Sequence, residues 1–128
     1  KACIPGAGGV FTARSLAKMY AALANWGELD GVRLLSARTL AEASKVHNTQ
    51  RGDVVPMAMN WRLGYHRVFT TWPRTPHAFG HFGYGGSGAW ADPSRRLAVG
   101  YIVNTGSGSP FADLRLWRIN TAIIQSVE

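Results

Sequence analysis

The sequence predicts an α+β fold, an antiparallel sheet with flanking helices. Three observations carry this. Apolar residues recur at helical spacing near both ends of the chain, as Leu16, Met19, Tyr20, Leu23 and Trp26, and as Leu116, Ile119, Ile123 and Val127. Between them, "AFGHFGYGGSGAWADPSRRLAVGYIVN" (78–104) reads as three short strands separated by turn residues. Within it "LAVGYIV" (97–103) is apolar at nearly every position, the pattern of a strand buried on both faces.

The elements follow in order. "PGAGGVF" (5–11) is a glycine-rich loop. Thr12 caps a helix over 13–26, and Gly27 ends it in the left-handed conformation where glycine costs least. Asp30-Gly31 makes a tight turn between two short extended pieces. Ser36 caps a second helix over 37–46, with Leu40, Ala43 and Val46 inward. Residues 47–59 read as loop, 61–68 as a strand, and 69–78, with Pro73 and Pro76, as an irregular excursion. Strands then span about 79–84, 87–92 and 97–103. Pro93 sits where a type I turn places proline, which makes the last two strands an antiparallel hairpin. Asp113 opens a last helix running to about Val127. That helix can cover one face of the all-apolar strand. The helices left over are few for the other face, so further segments of a longer protein are expected there.

Composition narrows the function classes. Apolar residues are 46% and charged residues 16%, a globular balance rather than a disordered one. No apolar run reaches the ~18 residues of a membrane span, so no membrane partner is expected. The net charge of +7 invites a nucleic-acid reading, but the cations are scattered and only Arg95 and Arg96 are adjacent. No nucleic-acid partner is expected. Cys3 is the only cysteine, which excludes an internal disulfide and a cysteine-based zinc site. His77 and His81 have H-x-x-x-H spacing, but Gly80 and Gly83 favour extended chain. Four extended residues span ~13 Å, too far for one metal.

Ser15-Leu-Ala-Lys18 has the Ser-x-x-Lys spacing that sets a lysine amine beside a nucleophilic serine. The catalytic form needs a buried helix N-terminus and a desolvated amine, whereas Lys18 is expected to face solvent with Arg14. Gly83, Gly85 and Gly88 spell G-x-G-x-x-G, but a strand and a turn follow instead of the helix a dinucleotide site requires. The glycine density of "GHFGYGGSG" (80–88) weakens a strand unless a backbone must approach something closely. Two readings stay open there: a substrate-binding edge strand, or a strand packed tightly under a helix.

Residues 79–104 resemble the C-terminal segment of the serine β-lactamase-like superfamily, and more closely class C β-lactamases and family VIII carboxylesterases. His81-Phe82-Gly83 fits the His-x-Gly form of the third catalytic motif on an edge strand, and the following strands match as far as Asn104. "GGVFTARSLAKMYAALANWGELDGVRLLS" (8–36) resembles an earlier family helix and turn, in family order. The resemblance implies that residues 1–128 are the C-terminal portion of a single β-lactamase/transpeptidase-like domain whose nucleophile-bearing part is absent. The family's Ser-x-x-Lys lies far upstream, so Ser15 is a decoy, and no Tyr-x-Asn second motif occurs here. The implied chemistry is acyl-enzyme hydrolysis of a small-molecule ester, or alternatively of a β-lactam or D-amino-acid peptide amide. A non-catalytic truncated binding module is the other reading. His81 would bind or polarise substrate. The N–H of Tyr84, after Gly83, would be one oxyanion donor, and Tyr84 and Trp90 would either line the acyl pocket or serve in packing. No metal or organic cofactor is implied. The chain alone is expected to be inactive, and to self-associate through the strand edge that family members fill with N-terminal strands.

Overall fold

A computed structural model of the chain describes residues 6, 8–106, 108, 109, 111 and 113–128. Cys3 and part of the glycine-rich segment before the first helix lie outside the described residues. The elements are α1 (Ala13–Ala24), β1 (Glu28–Leu29), β2 (Val32–Arg33), α2 (Ala37–Ser44), β3 (His66–Arg67), β4 (Phe79–Phe82), β5 (Gly88–Asp92), β6 (Leu97–Tyr101) and α3 (Leu114–Val127). One antiparallel sheet has the order β3-β4-β5-β6, and β1 and β2 form a separate hairpin. No helix among the described residues is long and apolar enough to cross a membrane.

The strand alternation sorts side chains onto two faces. Phe79, Ala89, Ala91 and Ala98 pack against Tyr20, Leu23 and Ala24 of α1 and Leu40 of α2. Phe82, Trp90, Leu97, Val99 and Tyr101 pack against Leu116, Ile123 and Ile124 of α3. Helices therefore lie against both faces of β6, although only Val99 is buried and the other four residues of the strand stay half-buried. The approach of α1 is close because the contact is made of small residues. A Cβ on Gly100 would lie 2.5 Å from the Ala13 carbonyl oxygen and 2.8 Å from the Ala17 nitrogen.

Local signals place the caps and turns. The Thr12 hydroxyl accepts from the Ser15 N–H at 3.1 Å, and the Ser15 hydroxyl accepts from the Thr12 N–H at 3.1 Å, a reciprocal capping box. Ser36 accepts from the Thr39 N–H at 3.0 Å. Asp30 (φ 51°) and Gly31 (φ 75°) are both left-handed, as a two-residue hairpin turn needs. After Pro93, the Arg95 N–H donates to the Asp92 carbonyl at 3.2 Å, while the buried Asp92 carboxylate accepts from the Ser94 N–H at 3.0 Å and from Arg95 at 2.8 Å.

Several expectations are corrected. α1 ends at Ala24, because Trp26 (φ 57°) has already left the helix, and Trp26 and Met19 are exposed. α2 ends at Ser44, leaving Val46 exposed. The 61–68 strand shrinks to two residues because the chain turns at Gly64 (φ 83°), closed by the Arg62 N–H on the Tyr65 carbonyl at 2.8 Å. Residues 47–59 are not plain loop: Asn48 bridges to Trp61, and Arg51 to Ala58. α3 buries Leu116, Asn120 and Ile124, while Ile119 and Val127 are exposed. The inward face carries a polar residue because Trp90 donates its indole N–H to Asn120 Oδ1 at 3.0 Å, and Asn120 Nδ2 donates to Thr70 Oγ1 at 2.7 Å.

Candidate active site

The site forms where β4 loses a neighbour. β3 pairs only with the first two residues of β4, as His66 opposite Gly80 and Arg67 opposite Phe79. On its other side β4 stays paired to β5 through His81 opposite Ala89 and Phe82 opposite Gly88. The hairpin closes through the Gly83 N–H to Ser87 O and the Gly86 N–H to Gly83 O, both at 2.9 Å, with Gly86 at φ 97°. This turn ends β4 at Phe82, two residues before the sequence expectation.

Gly83 donates towards β5, so the preceding N–H, of Phe82, faces the open edge. It donates to Nε2 of His66 at 3.4 Å. The Tyr84 N–H has no hydrogen-bond partner among the described residues. The glycines serve two purposes. A Cβ on Gly80 would lie 2.1 Å from Ala89 O, and one on Gly88 2.2 Å from His81 O, so these two allow tight strand packing. A Cβ on Gly85 would meet nothing within 4 Å. The close approach that the glycines of "GHFGYGGSG" permit is thus between the paired strands β4 and β5, not between a strand and a helix.

The His81 side chain is exposed and borders two cavities. One, of about 580 Å³, is lined by Phe11, Leu16, Tyr20, Gly83 and Ser87 among others. The other, of about 190 Å³, includes Met59, Trp61, His66, Tyr84 and Phe111. Partial desolvation lowers the His81 pKa below the ordinary imidazole value. The ring lies 5.2 Å, edge to face, from that of His66. His66 is only 2% exposed, with Nδ1 2.8 Å from the Arg67 carbonyl oxygen. These contacts assign the proton to Nδ1 and leave Nε2 as acceptor. Burial, reinforced by His81 and Arg62, lowers the His66 pKa to about 4, outweighing the carbonyl contact, which acts to raise it. Both imidazoles are neutral at pH 7.

Of the sequence candidates, the structure brings His81, Gly83 and Tyr84 together; Tyr84 is 80% exposed at the smaller cavity. Trp90 is a correction. It is opposite Gly80 in register, points to the α3 face and is fully buried against Asn120, so it lines no part of these cavities. Sequence reasoning missed His66, whose role depends on a pairing 16 residues away with no spacing signal. His77 does not meet His81; it borders a separate cavity with Arg62 and Pro93. Ser15 is occupied in the α1 capping box, and Lys18, 71% exposed by side chain, lies 3.6 Å from Asp30. The desolvated amine that Ser-x-x-Lys catalysis requires is not present there.

A family model described as Beta-lactamase matches residues 2–122. The chain belongs to the β-lactamase family. It is 40% identical over 108 residues to Esterase/beta-lactamase LipL of Mycobacterium tuberculosis (strain ATCC 25618 / H37Rv), a match covering 79% of this chain and 23% of that protein. A penicillin-binding protein homolog from Caulobacter crescentus superposes with a TM-score of 0.80 at 35% identity, covering 90% of this chain and 32% of its own. A family VIII carboxylesterase superposes at 0.75 and 35% identity, covering 86% of this chain and 31% of its own. This β-lactamase-family chain thus spans about a quarter of the curated relative and about a third of each solved structure. Its α+β fold is that of the family, and its relatives support a hydrolase of this superfamily.

Proposed function

We propose that this chain supplies one wall of the active site of a serine carboxylesterase acting on small esters through an acyl-enzyme. The observation that carries the reading is that an exposed, neutral His81 on β4 and Tyr84, whose N–H has no partner among the described residues, border one cavity of about 190 Å³, while His81 and Gly83 also border the 580 Å³ cavity. Ser87 lines the larger cavity and Ser15 does not, and both hydroxyls are engaged in structural hydrogen bonds. Ser15 caps α1, and the Ser87 hydroxyl accepts from the Val103 N–H at 3.0 Å. In this proposal the nucleophile and its base belong to a part of the domain outside residues 1–128.

The serine oxygen attacks the ester carbonyl carbon, and its proton passes to the base. The carbonyl oxygen becomes an oxyanion and accepts from the Tyr84 N–H, a donor of the kind worth about 3 kcal/mol in the transition state. Collapse expels the alcohol, which takes up the proton. Water then cleaves the acyl-serine, releasing the acid and restoring the hydroxyl. His81, neutral at pH 7, holds the substrate across the cleft with one hydrogen bond. Two relatives, an esterase/β-lactamase and a carboxylesterase, favour an ester; the first also keeps a β-lactam as the second substrate.

In the full-length protein, His81→Ala should lower turnover of a short-chain p-nitrophenyl ester by ~10²-fold or more. The melting temperature should stay within a few degrees. Full activity at full stability would sink the reading. A fluorophosphonate probe should label a serine outside these residues, and label on Ser15 would overturn it equally.

We further propose that the outer edge of β6, unpaired among the described residues, receives the remaining strands of the domain, and that the isolated chain self-associates there. Ile102, just beyond β6, is exposed. Sedimentation at micromolar concentration should show oligomers; a clean monomer would refute self-association.

A further inference from the structure

We propose that His66 is a positioning residue for this site: it takes the Phe82 N–H and supports the His81 ring, holding the open edge of β4 in place. The inference rests on the ester-hydrolase reading above and adds a residue that the third motif does not contain. In a regular ladder the Phe82 N–H would donate to a carbonyl of the next strand. Here β3 stops opposite Gly80, and among the described residues no strand continues the pairing beyond it. The His66 side chain continues where its backbone ends, reaching along β4 to offer Nε2 to Phe82.

Three contacts hold the ring so that it can do this. Nδ1 is tied to the Arg67 carbonyl at 2.8 Å. One face stacks on Phe69 at 6.1 Å, and Trp61 meets the ring edge-on at 5.6 Å. The remaining side meets His81. An open strand edge is otherwise free to shift, and displacement of a reacting group by ~1 Å can cost ~10²-fold in rate. With Phe82 held, the first unpartnered N–H beyond it is that of Tyr84.

The device works only with a neutral ring, since a second proton on Nε2 would face the Phe82 N–H donor to donor. The titratable groups facing His66 are His81 of β4 and Arg62 of the preceding loop, and both disfavour its protonation. Low exposure acts in the same direction.

Two variants separate the ring nitrogens. His66→Gln places an acceptor near the position of Nε2, and His66→Asn places a donor near that of Nδ1. In the full-length protein, His66→Asn should lower kcat for a p-nitrophenyl ester ~10-fold with KM changed less than ~2-fold, and His66→Gln should keep kcat within ~3-fold of wild type. On the same preparations, hydrogen exchange at the Phe82 amide should accelerate in His66→Asn but not in His66→Gln. Unchanged kcat in His66→Asn would overturn the proposal. So would equal losses in both variants with equal exchange at Phe82, because His66 would then merely fill space. If the wild-type protein turns over no ester, the functional reading fails, and exchange at Phe82 alone decides whether His66 holds the edge.

Discussion

At the Phe79 end of the β4–β5 hairpin, every residue is enclosed. β3 flanks β4, α1 and α3 cover the two faces, and Phe79, Trp90 and Ala91 are fully buried. At the Gly88 end of the same hairpin, β3 has ended, Tyr84 stands in solvent, and a cavity opens on each side of His81. One strand pair thus contributes a core at one end and a candidate site at the other. The difference arises from the length of the neighbouring strand, which is not a property of the hairpin's own sequence. It also shows that a glycine-rich stretch does not have one explanation. Gly80 and Gly88 are glycines because a backbone lies against them, and Gly85 sits in open space.

The largest effect should come from testing that contrast directly. Gly80→Ala drives a methyl to within 2.1 Å of a backbone oxygen and 2.6 Å of the Trp90 Cα, neither of which can move alone. It should cost about 3 kcal/mol or more and lower the melting temperature by more than ~10 °C. Gly85→Ala should leave it within ~2 °C. Equal effects in thermal unfolding would abolish the distinction between the two ends.

The next largest effect concerns pH. His66 is held to a pKa of about 4, against ~6.5 in the unfolded chain. Between these values the unfolded state binds more protons, so stability rises with pH and is lost as pH falls from 6.5 through 4. Going from pH 7 to 5 should cost about 2 kcal/mol from His66, with His81 adding in the same direction. The arginine-paired carboxylates Asp113 and Glu128 are held below the usual carboxylate range, so their contribution is lost only at lower pH. Urea unfolding of His66→Gln should show a much flatter dependence. An unchanged slope would mean that the buried imidazole is not the group that titrates.

The smallest effect is at Ser15. Ser15→Ala removes half of the capping box and should cost about 0.5–1 kcal/mol. Ester turnover by the full-length protein should be unaffected. Loss of turnover without loss of stability would restore Ser15 as a nucleophile and move the chemistry away from β4.

Much of the fold was legible because much of it is local. Thr12 and Ser36 as caps, Asp30-Gly31 as a left-handed turn and Pro93 after Asp92 each need only a few adjacent residues to be read correctly. The apolar stripes were legible as helices but not as faces. α3 turns Asn120 inward because an indole on another element supplies its partner, and α1 approaches β6 through alanines that a search for large apolar residues passes over. Trp90 was misplaced for a related reason. Its neighbour Ala89 lines the larger cavity, but strand alternation points Trp90 to the opposite face, and only the register with Gly80 shows which face that is.

The sequence by itself determined the caps, the turns, the α+β class and the resemblance of residues 79–104 to the family that the whole-chain match shows. These depend on short-range backbone preferences and on a motif written in consecutive residues. Only the tertiary structure decided which part of β4 is an edge, which glycines are compressed, and that His66 stands beneath His81. Those depend on where β3 stops and on which nitrogen of a buried ring finds a donor across 16 residues of chain. No local pattern encodes such contacts, because their energy comes from groups that meet only after the sheet has paired.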